Sequence, residues 1–270
     1  MFIFLVSFKK MVLLQSDCLK FDDMKKGWFV IALCIMAGAV IFLVRTRNSD
    51  REKELITEII VLDNDPILQP DASNVKPETS NLINIRNADS TILVDLKYAT
   101  TDNFTGVILY DGIDDAYLQP DVALMLAEAH RYLKTLHPDL RFLVYDAVRP
   151  LSVQRIMWER VKDTQYSRYV ASPDRLSLHN FGAAVDLTLA DNLGHPLDMG
   201  TPFDFFGRAA GISDEQGLIT QGILTRQQVQ NRQLLRQVMR HAGFHSISGE
   251  WWHFNACSLQ EAKQRYTLVE

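Results

Sequence analysis

An uncharged stretch from Gly27 to Val44, GWFVIALCIMAGAVIFLV, does most to constrain how this chain can fold. A helix of this length, at about 1.5 Å per residue, comes close to spanning a hydrocarbon core of ~30 Å. A helix buried in a globular core would be shorter or would carry a polar face. Lys25 and Lys26 precede the stretch, and Arg45 and Arg47 follow it. Residues 27–44 are therefore predicted to be a transmembrane anchor or an uncleaved signal, behind a short N-terminal segment, 1–26. Met24-Lys25-Lys26 followed by the apolar run has the form of a signal sequence that begins at Met24. No small-x-small cleavage pattern follows Val44, which favours retention. Positive charge at both ends gives weak guidance on orientation. The expected arrangement keeps the short N-terminus in the cytoplasm and the rest of the chain on the periplasmic side of an inner membrane. The alternative is a domain cleaved and released into the periplasm.

Residues 45–80 are polar and interrupted by Pro66, Pro70 and Pro77, the composition of a tether. That leaves 81–270 as a domain long enough to build its own core. The formal net charge of −5 argues against a nucleic-acid partner, which would call for a basic stripe. Three cysteines, two of them before Val44, exclude a disulfide framework and a thiolate zinc cluster. Any metal must be held by imidazole and carboxylate. No obligate protein partner is implied.

Ile92, Val94, Leu96 and Tyr98 alternate with mostly polar neighbours, which predicts a half-buried strand. Val122, Met125, Leu126, Ala129, Leu133 and Leu136 recur at helical spacing after Pro120, and His137-Pro138 ends that helix. A strand over 141–148, a helix over 152–162 and a strand over 183–189 follow. Thr225 and Gln228 form a capping box for a further helix that ends at Gly243. The closing aromatic stretch reads as a strand. Helices and strands do not alternate regularly, so the fold class is α+β, with a mixed or antiparallel sheet flanked by helices.

Two segments carry the chemistry. Ser177 to Asp186 reads SLHNFGAAVD, and Glu250-Trp251-Trp252-His253 lies near the C-terminus. Together they offer two imidazoles and a carboxylate as ligands, with a second carboxylate three residues before the last histidine. A catalytic zinc site takes three protein ligands and leaves one position for water, and a free carboxylate beside it can act as general base. Singly, each residue has a plainer reading. Asp186, inside an apolar strand, is harder to dismiss, because an unpaired buried carboxylate is costly and wants a cation or donors. Glu250 could be a surface charge beside an exposed aromatic patch. Arg149 could form an ion pair with Asp146, which is compatible with Asp146 orienting it for another task. Asp204 could be a turn carboxylate after Pro202. His241 and His245 are four apart but straddle a helix end at Gly243, which suits charge compensation rather than metal ligation.

As an ordered set, these segments resemble the D-alanyl-D-alanine dipeptidase family known from vancomycin resistance. The stretches YATTDNFTG (98–106), DAVRP (146–150) and MGTPFDF (199–205) extend the resemblance over about 82–256. It implies one zinc ion held by His179, Asp186 and His253, with Glu250 as catalytic base and Arg149 steadying the scissile carbonyl as it becomes an oxyanion. It also implies that Asp204, with Ser177 nearby, meets the ammonium group of a small dipeptide. The expected activity is hydrolysis of D-Ala-D-Ala in cell-wall peptide turnover. Trimming of peptidoglycan stem peptides by a D,D-carboxypeptidase is the near alternative. A non-haem iron oxygenase would share the two-His-one-carboxylate set but usually needs a β-barrel. A silent wall-peptide-binding module would have no use for Glu250 and Arg149 together.

Overall fold

The computed structural model describes residues 81–270, so the predicted anchor and tether lie outside the described residues. Among those described, no helix is long and apolar enough to cross a membrane. The elements run β1 (Ile83–Asn84), α1 (Ile85–Ala88), β2 (Leu93–Val94), β3 (Tyr117–Leu118), α2 (Pro120–Leu136), β4 (Leu140–Asp146) and α3 (Leu151–Val161). There follow β5 (Ala184–Asp191), α4 (Glu215–Thr220), α5 (Arg226–His241), β6 (His245–Ser246), β7 (His253–Asn255) and α6 (Leu259–Arg265). Five strands form an open mixed sheet in the order β2-β4-β5-β7-β6, in which β2 and β4 are parallel and the other neighbours antiparallel. β1 and β3 make a separate antiparallel pair. This is the α+β architecture predicted, with edges at β2 and β6 rather than a closed barrel.

Local chemistry explains the main helices. Pro120 opens α2 at a position where its missing N–H is not needed. The helix then buries Val122, Ala123, Leu126, Ala129 and Leu133 along one stripe. In α5 the Thr225 hydroxyl accepts from the Gln228 N–H at 3.2 Å, and the Gln228 side chain accepts from the Thr225 N–H at 2.7 Å. Leu235, Val238 and Met239 from α5 join the core. Phe142, Val144, Val185, Leu187 and Leu189 supply the sheet side of that core, all of them fully buried. Each side chain of this kind contributes ~1.5–3 kcal/mol on burial.

The Ile92–Tyr98 strand is shorter than its alternation predicts. Pairing covers Leu93 and Val94, and Lys97–Ala99 forms a 3-10 turn. The turn aims the Tyr98 carbonyl at the N–H groups of Leu109 and Tyr110, at 2.8 and 2.9 Å. Ile92, Leu96 and Tyr98 are nevertheless buried, so the pattern reported burial correctly and local conformation wrongly. The exposed aromatic patch considered beside Glu250 is also corrected. Trp251 and Trp252 are both 2% exposed and meet edge to face at 5.3 Å.

Candidate active site

Strand register gathers the candidate ligand residues on the sheet face opposite the helices. Asp186 on β5 stands directly across from His253 on β7 and from Asp146 on β4. Opposed residues on neighbouring strands project to the same face. Asp146 reaches that face because β4 bulges: Val144 pairs with Leu187, yet Asp146 pairs with Asp186, leaving Tyr145 as the extra residue. Without the bulge Asp146 would share the core face with Val144.

His179 arrives from a 3-10 turn, Leu178–Phe181, that leads into β5. Ser177 caps the turn, its hydroxyl accepting from the His179 N–H at 3.3 Å. The Asn180 side chain accepts from the Ser177 N–H at 2.7 Å and donates to the Arg149 carbonyl at 2.9 Å. Gly182 ends the turn at φ +62°, and a Cβ there would stand 2.9 Å from a Leu82 methyl. The glycine of the motif is a conformational requirement.

Hydrogen bonding decides which ring nitrogens are available. His179 Nδ1 donates to the Ala147 carbonyl at 2.6 Å, leaving the Nε2 lone pair. The Asn255 side-chain oxygen lies 2.7 Å from His253 Nε2 and accepts its proton, so Nδ1 is the nitrogen a metal can take. Without a metal, burial works against the His253 cation, but Asp186 beside Nδ1 pushes its pKa up to about 9, and a bound metal would displace that proton. Those two nitrogens face each other at 3.2 Å, and Asp186 Oδ1 lies 3.4 Å from the first and 2.9 Å from the second. All three ligand atoms fall within 4.8 Å of one another. Two ring nitrogens and a carboxylate converging in this way fit a divalent cation, and the two outer hydrogen bonds are the orienting contacts such a site needs. Burial opposes ionisation of Asp186, but the two imidazoles hold its carboxyl well below the usual range.

Arg149 and Asp146 form the buried pair anticipated from their spacing. Arg149 Nε donates to Asp146 Oδ2 at 2.9 Å and Nη1 donates to Gln154 at 2.9 Å. Asp146 also accepts from the Tyr110 hydroxyl and from the Ala147 N–H. Burial works against the guanidinium cation, and Asp146 together with Tyr98, Tyr110 and Asp186 outweighs it, keeping Arg149 protonated. A guanidinium has five N–H groups. With Nε, Nη1 and Nη2 each donating once, one hydrogen on each terminal nitrogen is left, and Nη2 lies 3.7 Å from Asp186.

Glu250 stands beside this cluster. Burial pushes its carboxyl up to about 7, with His253 and Arg149 pulling it down and Asp186 pushing it further up. The paired tryptophans behind it are anchors: Trp251 Nε1 donates to the Thr201 hydroxyl at 2.8 Å, and Trp252 packs on Phe203 at 5.5 Å. Asp204 does sit in a turn, at φ +57°, and its carboxylate faces inward. Burial raises its pKa well above the ordinary value, against the stabilising hydroxyl of Tyr98, which donates at 2.9 Å. An entering cation would reverse that shift.

Several participants were not picked out from the sequence. Tyr98 links Asp204 to Arg149, whose guanidinium lies 5.2 Å from its ring. Tyr110, Gln154 and Asn255 each hold a site residue in place, and nothing in their spacing marks them. The remaining histidines stand apart. His241 stacks on Tyr132 at the end of α5 and lies 3.7 Å from Glu128, and His245 is exposed on β6. Cys257 is a buried free thiol.

An α+β domain that gathers two imidazoles and a carboxylate on one sheet face, beside a buried carboxyl and a buried guanidinium, has a candidate site of the metallohydrolase kind. Residues 78–269 match the peptidase family described as D-ala-D-ala dipeptidase. The chain is 33% identical over 178 residues to a D-alanyl-D-alanine dipeptidase of Escherichia coli, covering 66% of this chain and 85% of that protein. It is 34% identical over 181 residues to one from Enterococcus faecalis, covering 59% of this chain and 83% of the relative. A Synechocystis D-alanyl-D-alanine dipeptidase is 30% identical over 176 residues, covering 54% and 71%. The chain belongs to the D-alanyl-D-alanine dipeptidase family.

Proposed function

We propose that this domain hydrolyses D-alanyl-D-alanine to two D-alanines, using one zinc ion held by His179, Asp186 and His253. The observation that carries the reading is the tautomer lock: Ala147 and Asn255 hold the outer ring nitrogens, so the two that converge on Asp186 are the ones a metal can take. When bound, zinc supplies a Lewis acid that polarises the carbonyl and acidifies water.

The chain's own groups do the rest. The Glu250 carboxylate accepts a proton from the attacking water and returns it to the amine nitrogen as the C–N bond breaks. The two uncommitted N–H groups of Arg149 donate to the carbonyl oxygen as it gains charge. Asp146 and Gln154 already hold that guanidinium, so little reorganisation is needed. The Asp204 carboxylate receives the substrate's ammonium group, and the Ser177 hydroxyl oxygen is the second acceptor for that end of the dipeptide.

The paired assay compares turnover of D-Ala-D-Ala with that of an N-acylated tripeptide ending in D-Ala-D-Ala, with and without chelator. Chelator-sensitive hydrolysis of the free dipeptide is expected. Faster cleavage of the acylated compound would instead make the protein a D,D-carboxypeptidase. Tightly held iron in place of zinc would point to oxygenase chemistry.

The proposed setting is an inner membrane, with 27–44 as anchor, 45–80 as tether and the catalytic domain on the periplasmic side. The uncharged stretch between Lys26 and Arg45 supports it. There the enzyme would meet dipeptide released from the wall, a salvage or remodelling role. Protection of the domain from protease added to spheroplasts would sink this topology.

A further inference from the structure

Arg232 lies on the inner face of α5 and is fully buried. Its guanidinium crosses to the loop 199–209, where Nε donates to the Met199 carbonyl at 2.6 Å and Nη2 to the Ala209 carbonyl at 2.9 Å. These two carbonyls are the two ends of the loop that carries Asp204. The same guanidinium lies 5.8 Å from the ring centre of Trp251, the neighbour of Glu250, and that indole donates to Thr201 inside the loop. Glu215 of α4 stands 3.8 Å from Nη1 and is itself gripped by both terminal nitrogens of Arg236, at 2.9 and 2.6 Å. Nη1 has no hydrogen-bond partner among the described residues.

A buried cation with incomplete pairing is a poor way to stabilise a core, where an apolar side chain of similar volume often does better. Its value lies in geometry. One planar fork reads both ends of a loop whose middle holds Asp204 in the left-handed region, a conformation that persists where the surroundings over-determine it. We infer that Arg232 is a positioning residue that holds the Asp204 loop in register with the metal cluster, and so sets the enzyme's grip on the free amino terminus of its substrate. This rests on the reading that Asp204 receives the ammonium group.

The test measures kcat and KM for D-Ala-D-Ala in the full-length protein and in Asp204→Asn, Arg232→Met and Arg232→Lys, with bound zinc, melting temperature and amide exchange over 199–209. Arg232→Met is expected to raise KM about ten-fold, the effect of one charge-assisted hydrogen bond, with kcat and zinc content little changed and exchange in the loop faster. Arg232→Lys keeps the charge but cannot bridge both carbonyls, so it should fall between Met and the wild type. If Asp204→Asn leaves KM unchanged, the ammonium reading fails and takes this inference with it. If Asp204→Asn raises KM while Arg232→Met does not, the inference alone is overturned. Full rescue by lysine, or a loss confined to kcat, would also overturn it. If Arg232→Met does not fold, the lysine variant carries the test. Failure of both to fold would make the role one of global stability and end the proposal.

Discussion

Replacing Asp146 by Asn separates the shape of a buried anchor from its charge. In the wild-type protein Oδ1 accepts from the Tyr110 hydroxyl and the Ala147 N–H, while Oδ2 accepts from Nε and Nη2 of Arg149. An amide has a single acceptor oxygen. If that oxygen takes the Oδ1 position, the NH2 group faces two guanidinium donors. If the amide turns over, the NH2 group faces the Ala147 N–H, whose direction the backbone sets. Neither orientation satisfies every donor, and Arg149, 7% exposed, loses its nearest counter-charge. Breaking a buried pair from one side costs ~3–5 kcal/mol, and each kcal/mol lowers the midpoint of a domain this size by ~2–4 °C, so the melting temperature is expected to fall by roughly 6–20 °C. The guanidinium also loses its fixed aim, and losing an oxyanion donor costs ~10²–10³ in kcat. Zinc content should persist, because the His179 ring remains held by the Ala147 carbonyl. Circular-dichroism melts, metal analysis and steady-state kinetics on one preparation test all three. A variant melting within about 2 °C of wild type, or keeping kcat within about a factor of three, would refute the reasoning.

Glu250→Gln is expected to keep zinc and lose about 10²–10⁴ in kcat. In the wild type, activity should fall as pH drops through the Glu250 pKa, because the protonated form cannot accept a proton. Burial puts that pKa near 7 without metal, and a bound dication will move the acid limb lower. Zinc-loaded enzyme with an acid limb above 7 would contradict the assignment. Asn255→Leu frees the His253 tautomer and should weaken zinc binding about 10–100-fold in a chelator competition; unchanged affinity would dismiss the lock. Asp204→Asn should raise KM for the free dipeptide and leave hydrolysis of an N-acylated analogue untouched, so an equal effect on both substrates would count against an ammonium contact.

Local patterns on this chain carried the helices and the central strands well. The apolar stripe of α2, the Thr225–Gln228 box of α5 and the apolar run of β5 depend on neighbours three or four residues away, and they form where expected. Short elements set by distant partners were missed: β1 needs β3, β6 needs β7, and the turn at Tyr98 needs the loop at 109–110. Alternation reports burial and cannot separate a strand from a turn that buries the same residues.

The sequence by itself determined which chemical groups the site can contain. A scarcity of cysteine and a histidine–aspartate motif followed by Glu250 and His253 left imidazole and carboxylate as the groups that could hold a metal. Only the tertiary structure decided how those groups are held. Cross-strand register sets Asp146, Asp186 and His253 side by side, a bulge turns Asp146 toward the site, and Asn255 and Ala147 choose the ring nitrogens. Composition and spacing record which atoms a chain owns. Hydrogen-bond direction and strand register depend on contacts between residues far apart along the chain, and these exist only once it has folded.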